Sequence, residues 1–200
     1  MILGCIVEGH GETQAVPVLA RRIMSLLAPG TRLEVLPPLR LPRGKMEKEP
    51  ELKRAVELMA RKVGPGQPVL ILLDADHSLA CELGPRLLAW AREARGDHPI
   101  SVVVAVREFE AWFLAAASSL AGKRGWSTDA TDLTDSDCIA SPKAWLNDRM
   151  QRGYTETLDQ PAFADAFDLE AARKSASFDK LLRDFKRLIV AALPKAIEGA

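Results

Sequence analysis

The run Val69-Leu-Ile-Leu-Leu-Asp74-Ala-Asp76 constrains the fold of this chain more than any other stretch. Five consecutive apolar residues, partly β-branched, lead straight into two carboxylates one residue apart. A run that short and that apolar reads as a strand buried on both faces. Its acids then stand where the strand ends, and in open α/β sheets ligands bind just beyond the carboxyl ends of the strands. If the chain stays extended through Asp76, both carboxylates project to one side. Two such groups repel each other unless a proton or a cation lies between them. The alternative for the same residues is a helix N-cap, a position that Asp favours.

The same pattern recurs along the chain. An apolar run over residues 1–7 ends at Glu8, and Gly9-His10-Gly11-Glu12-Thr13 follows as a tight turn. Helical spacing of Val16, Leu19, Ile23, Leu26 and Leu27 predicts a helix over 15–27, ended by Pro29-Gly30. A weaker strand over 33–39 contains two prolines, which imply an early end or an edge position. A basic loop over 40–48 and an amphipathic helix over 51–63 lead to the central strand. A helix over 79–94 and a fourth strand over 100–106 follow, and helical spacing resumes after Arg107-Glu108-Phe109-Glu110, with Trp112 and Phe113 in the core. Strands alternating with helices predict an α/β fold, an open, mainly parallel, four-stranded sheet flanked by helices and spanning residues 1–121. Residues 122–200 read as a helical extension packed on that core: a polar loop over 122–141, a short helix opened by Ser141-Pro142, short helical pieces over 160–167 and 168–174, and a last helix over 177–193. His98, just before Pro99, is expected at the surface.

Charge and cysteine content narrow the class. Lys plus Arg equals Asp plus Glu, 27 each. That balance argues against a constitutive nucleic-acid coat but leaves room for a local basic groove. Three scattered cysteines without a Cys-x-x-Cys pair give no disulfide framework. No apolar run reaches the roughly 20 residues of a membrane span. A strand-like N-terminus is unlike a signal peptide. A reduced, cytoplasmic protein is expected.

Three of the four strands end in acids: Glu8 after the first, Asp74 and Asp76 after the third, Glu108 and Glu110 after the fourth. In a parallel sheet these ends share one edge. Four or five carboxylates without as many lysines call for a cation. All-oxygen ligands favour Mg²⁺ or Mn²⁺ over zinc, and such an ion suits phosphoryl transfer. Residues 9–14 lack the third glycine of a dinucleotide fingerprint, and the chain has neither a phosphate-binding Gly-x-x-x-x-Gly-Lys loop nor a Gly-x-Ser-x-Gly elbow. His10 and His77 are either metal ligands or proton shuttles, or plain turn residues. Arg107 either holds a phosphate or pairs with a neighbouring acid. Arg40, Arg43, Lys45 and Lys48 either track a nucleic-acid backbone or form a solvated loop. Lys143, Arg173 and Lys174 either close over the site from the extension or are solvated.

The glutamate of Val7-Glu8-Gly9 and the pair Asp74-Ala-Asp76 resemble the signature of the Toprim fold, shared by type IA and II topoisomerases, DnaG-type primases and OLD-family nucleases. A closer resemblance covers nearly the whole chain. Val7-Glu8-Gly-His-Gly-Glu12, Leu73-Asp-Ala-Asp76, Arg107-Glu-Phe-Glu110-Ala-Trp112 and Ser175-Ala-Ser177-Phe178 are similar to the domain-of-unknown-function family 4276, small stand-alone Toprim-like proteins. That resemblance implies metal ligation by Asp74, Asp76 and Glu110, with Glu8 as a further ligand or as general acid/base. Glu12, His10, His77 and Glu108, which lie beside these acids in the sequence, are candidate accessory residues. The resemblance also implies an AAA or SMC-like ATPase partner in phage-defence loci. No ATPase domain, DNA-gate tyrosine context or primase zinc module accompanies the motifs.

The expected function is a Mg²⁺- or Mn²⁺-dependent nuclease acting on DNA or RNA. Asp74, Asp76, Glu8 and Arg107 would be catalytic, and Arg40, Arg43, Lys45 and Lys143 would contact the nucleic acid. A homodimer is left open. Two alternatives remain at this point: a haloacid-dehalogenase-like phosphatase using Asp74 and Asp76, and a non-catalytic partner-binding subunit of an ATPase complex.

Overall fold

The computed structural model describes residues 1–193. The last residues of the expected extension therefore lie outside the described residues. The chain opens with β1 (Ile2–Val7), α1 (Glu12–Leu27), β2 (Glu34–Val35), β3 (Leu39–Arg40), α2 (Arg43–Met46), α3 (Glu49–Val63), β4 (Val69–Asp74), α4 (Ala80–Arg95) and β5 (Ile100–Ala105). The sheet order is β2-β1-β4-β5, with β3 also pairing β1, and every pairing is parallel. The expected four-stranded sheet thus has five strands, because the second is split. Pro37 and Pro38 have no N–H to give the ladder, so β2 pairs with Ile2 and Leu3 while β3 pairs with Ile6 and Val7.

Side chains alternate across the sheet into two cores. Leu3, Cys5, Val7, Leu70, Leu72, Val103 and Ala105 face α1 and the C-terminal helices. Ile6, Val69, Ile71, Leu73, Val102 and Val104 face α3 and α4. Burial on both faces explains why these strands read as unbroken apolar runs. Helices lie on opposite faces because the chain winds outward one way from β1 to β2 and β3, then returns across the sheet to β4 and β5. The reversal falls between β1 and β4, and the carboxyl ends of two such strands are the ligand position of open α/β sheets.

The extension closes over that end. After α5 (Ala111–Ala115), the last helix of the core, it comprises α6 (Pro142–Arg149), α7 (Glu156–Ala164) and α8 (Ala176–Ala192). Trp126, Leu146, Phe163, Phe178 and Phe185 are buried in the same core as Val7 and Phe113. The polar stretch 122–141 is not structureless: it holds short 3-10 turns at Lys123–Gly125 and Ser136–Cys138, and Trp126 bridges to Met150. Pro142 is the first helical residue as expected, but Ser141 makes no side-chain cap bond. The hydroxyl that caps a helix is that of Ser175, which accepts from Phe178 N at the start of α8. His98 is a correction. It is buried at 5 % exposure, with Nδ1 2.8 Å from the Gln67 carbonyl and Nε2 2.7 Å from the Arg95 guanidinium. Two partners for its two nitrogens offset the cost of burying a polar ring below β5.

Candidate functional site

Asp74 is the last residue of β4 and is buried. Its Oδ1 accepts the Phe109 N–H at 2.7 Å, which ties the end of β4 to the turn after β5. It is no helix cap, because α4 begins only at Ala80 behind Leu79. Asp76 does not continue the strand. Its φ is 50°, and across from it Arg107 has φ 63°. The Asp76 N–H donates to the Arg107 carbonyl at 2.9 Å, and the Arg107 guanidinium donates back to the Asp76 carbonyl at 3.3 Å. Left-handed backbone at two non-glycine residues costs roughly 1–2 kcal/mol each. The turn leaves Asp76 exposed, so the two aspartates do not share one pleated face as an extended chain would have it.

The turn after β1 brings two more acids. Glu12 is buried at the start of α1, and its Oε2 accepts the Gly9 N–H. Glu156, from α7, accepts the Gly11 N–H at 3.2 Å. A Cβ on Gly9 would collide with the Glu12 carboxylate, and one on Gly11 with Glu156 and Gln160. A side chain at either position would displace Glu12, or Glu156 and Gln160, from the turn.

Glu110, immediately before α5, is fully buried. Its Oε1 accepts from Tyr154 Oη at 2.8 Å and from Gln160 Nε2 at 3.1 Å. Lys143, on the first turn of α6, sends its ammonium between three acids. Nζ lies 3.5 Å from Glu156, 3.6 Å from Asp74 and 3.9 Å from Glu110. The Lys143 backbone N–H donates to Glu108 Oε2 at 2.7 Å, so Glu108 docks α6 against the site. Arg43 approaches from the other side. It donates to the Asp74 carbonyl, to the Ala75 carbonyl and to Ser78 Oγ, pairs with Glu47, and stands 3.8 Å from Glu8.

Burial dominates the electrostatics. It pushes Glu110 up to about 7, against the pull of Lys143 and Tyr154, and Glu12 likewise to about 7. Asp74 is raised well above the usual carboxylate range by burial and by the charges of Glu110 and Glu12. Burial raises Glu8 as well, opposed by Arg43 and reinforced by Asp76. Burial works against the charge of Lys143, yet Glu110, Asp74 and Glu156 outweigh it and hold the ammonium protonated.

Glu8, Glu12, Asp74, Glu108 and Glu110 therefore do gather at one edge. His10, His77, Arg40 and Lys45 are exposed. Arg43 and Lys143 face the carboxylates, not an open groove. Arg173 and Lys174 are elsewhere, paired with Glu170, Asp179 and Asp132. Glu156, Tyr154 and Gln160 belong to the site without any local sequence signal. Among the described residues, no three His, Cys, Asp or Glu side chains stand as a ready metal cage; the Lys143 ammonium lies between Asp74, Glu110 and Glu156. The donor set nevertheless fits a hard cation: it is all oxygen, and Oε2 of both Glu8 and Glu110 is buried without a hydrogen-bond partner.

Among the described residues, no helix is long and apolar enough to cross a membrane. Comparison with known families gives a match over residues 7–186 to DUF4276, described as a domain of unknown function. The chain belongs to that family. No curated protein and no solved structure gives a significant match.

Proposed function

We propose that this member of DUF4276 is a Mg²⁺- or Mn²⁺-dependent nuclease of the Toprim type, hydrolysing phosphodiester bonds of DNA or RNA in the cytoplasm. The observation that supports the reading is the gathering of Glu8 after β1, Asp74 at the end of β4 and Glu110 before α5, where Oε2 of Glu8 and of Glu110 is buried with no hydrogen bond and faces only an ammonium or guanidinium at 3.8–3.9 Å. Five gathered acids with only Lys143 and Arg43 beside them keep an excess of negative charge, which a divalent cation would offset. Asp74 and Glu110 would hold the ion, with Asp76 reaching it from the turn and Glu8 either joining them or moving the proton. Once bound, a divalent ion supplies a polarised phosphate oxygen and an activated water. Arg107 and Lys143 would supply the cations for a scissile phosphate, and Tyr154 and Gln160 fix the orientation of Glu110.

The test is cleavage of single-stranded DNA, duplex DNA and RNA with Mn²⁺, comparing the wild type with Asp74→Asn. Divalent-dependent cleavage lost in a folded variant supports the assignment. A folded Asp74→Asn protein that still cuts would sink it.

One observation favours a second reading, a non-catalytic subunit of an ATPase complex: Lys143 already supplies a cation to the cluster. Metal binding without turnover, alone or with an ATPase partner, would select it.

A further inference from the structure

We propose that Lys143 is the resident cation of this site in the metal-free protein and gives up its place when a divalent ion binds. The inference rests on the metal-dependent reading above and adds a competitor to it. Asp74 from β4, Glu110 from the start of α5 and Glu156 from α7 surround the ammonium at 3.5–3.9 Å. A charge-assisted hydrogen bond would be about 2.7–2.9 Å. The ammonium is therefore caged by charge and not bonded to any one oxygen, as a mobile counter-ion would be. The side chain is 33 % exposed, so its flexible stem has a way out. Its backbone does not share that freedom: the Lys143 N–H is held by Glu108 at 2.7 Å, and the neighbouring Pro142 is buried. Only the side chain can swing, and it swings to the rim, still within reach of an anion on the outer side of the ion. An ammonium and a divalent ion cannot share the space between the same three carboxylates without repulsion. Removing the ammonium must therefore strengthen metal binding and weaken the metal-free fold.

The experiment is a Mn²⁺ titration by electron paramagnetic resonance on the wild type, Lys143→Met and Lys143→Arg, with thermal melts of each with and without metal. Lys143→Met is expected to bind Mn²⁺ about tenfold more tightly, to melt lower without metal, and to recover with it. Lys143→Arg is expected to bind as the wild type does. Equal or weaker Mn²⁺ binding by Lys143→Met, with the wild type still binding, would overturn the exchange alone. No binding by any of the three would overturn the metal site itself and the exchange with it. A measurement on the unmodified chain guards against a variant that fails to fold. Mg²⁺ is expected to raise acetylation of Lys143 by acetic anhydride several-fold, read by mass spectrometry. An unchanged or lower labelling would contradict the exchange.

Discussion

Tyr154 Oη donates a 2.8 Å hydrogen bond to Glu110 Oε1, joining the only tyrosine of the chain to the most buried acid of the site. The two residues are 44 positions apart, and the bond fixes the segment between α6 and α7 over the end of the sheet. Tyr154→Phe removes that donor and leaves Gln160 as the remaining donor to Oε1. A hydrogen bond to a charged group contributes about 1.5–3 kcal/mol. The loss in urea stability is therefore expected in that range at pH 8. It should shrink at pH 6, where Glu110, with its carboxyl near 7, is mostly neutral. An equal loss at both pH values would contradict the ionised partner.

The pH dependence of the metal-free protein follows from the same burial. Glu12 and Glu110 are raised from 4.5 to about 7 on folding. Between those values the folded chain binds protons that the unfolded chain has released, so stability falls as pH rises. The contribution is fully present below 4.5 and is gone once pH has risen past about 7. The urea midpoint at pH 6 is expected to exceed that at pH 8, and Glu110→Gln should flatten the difference. A higher midpoint at pH 8 in the wild type would show that these acids are not buried as described.

A third expectation concerns the joint between sheet and extension. Ser177 Oγ accepts from Trp112 Nε1 at 2.8 Å and from Val106 N at 3.2 Å. Ser177→Ala takes the acceptor from two donors at once, one of them fully buried. The cost is expected to be about 1–3 kcal/mol, measured by urea unfolding followed through tryptophan fluorescence. A change within experimental error would mean that other groups satisfy both donors.

The strands and the first acids were legible because burial on two faces writes itself locally. Val69–Leu73 and Ile100–Ala105 are apolar at every position or nearly so, and each run stops where the chain leaves the core. Glu8, Asp74 and Glu110 are the residues at or just past those stops. The split of the second strand was visible only as two prolines, since the register that separates β2 from β3 belongs to β1. The shared face of Asp74 and Asp76 was conditional on an extended chain, and nothing in the sequence announces the left-handed pair that Asp76 forms with Arg107. Lys143 was named as closing over the site from the extension, whereas Tyr154, Glu156 and Gln160 reach it at spacings from Glu110 that carry no period. His98 was assigned to the surface from its neighbour Pro99, whereas a tertiary contact to Gln67 decides its burial.

The most direct test of the account is Mn²⁺ binding at pH 8, followed by electron paramagnetic resonance on the wild type and on Asp74→Asn. The free-ion signal is expected to fall as wild-type protein is added and to persist with the folded variant. A signal that persists with the wild type, or that falls equally with Asp74→Asn, would contradict a metal site at the ends of β1, β4 and β5.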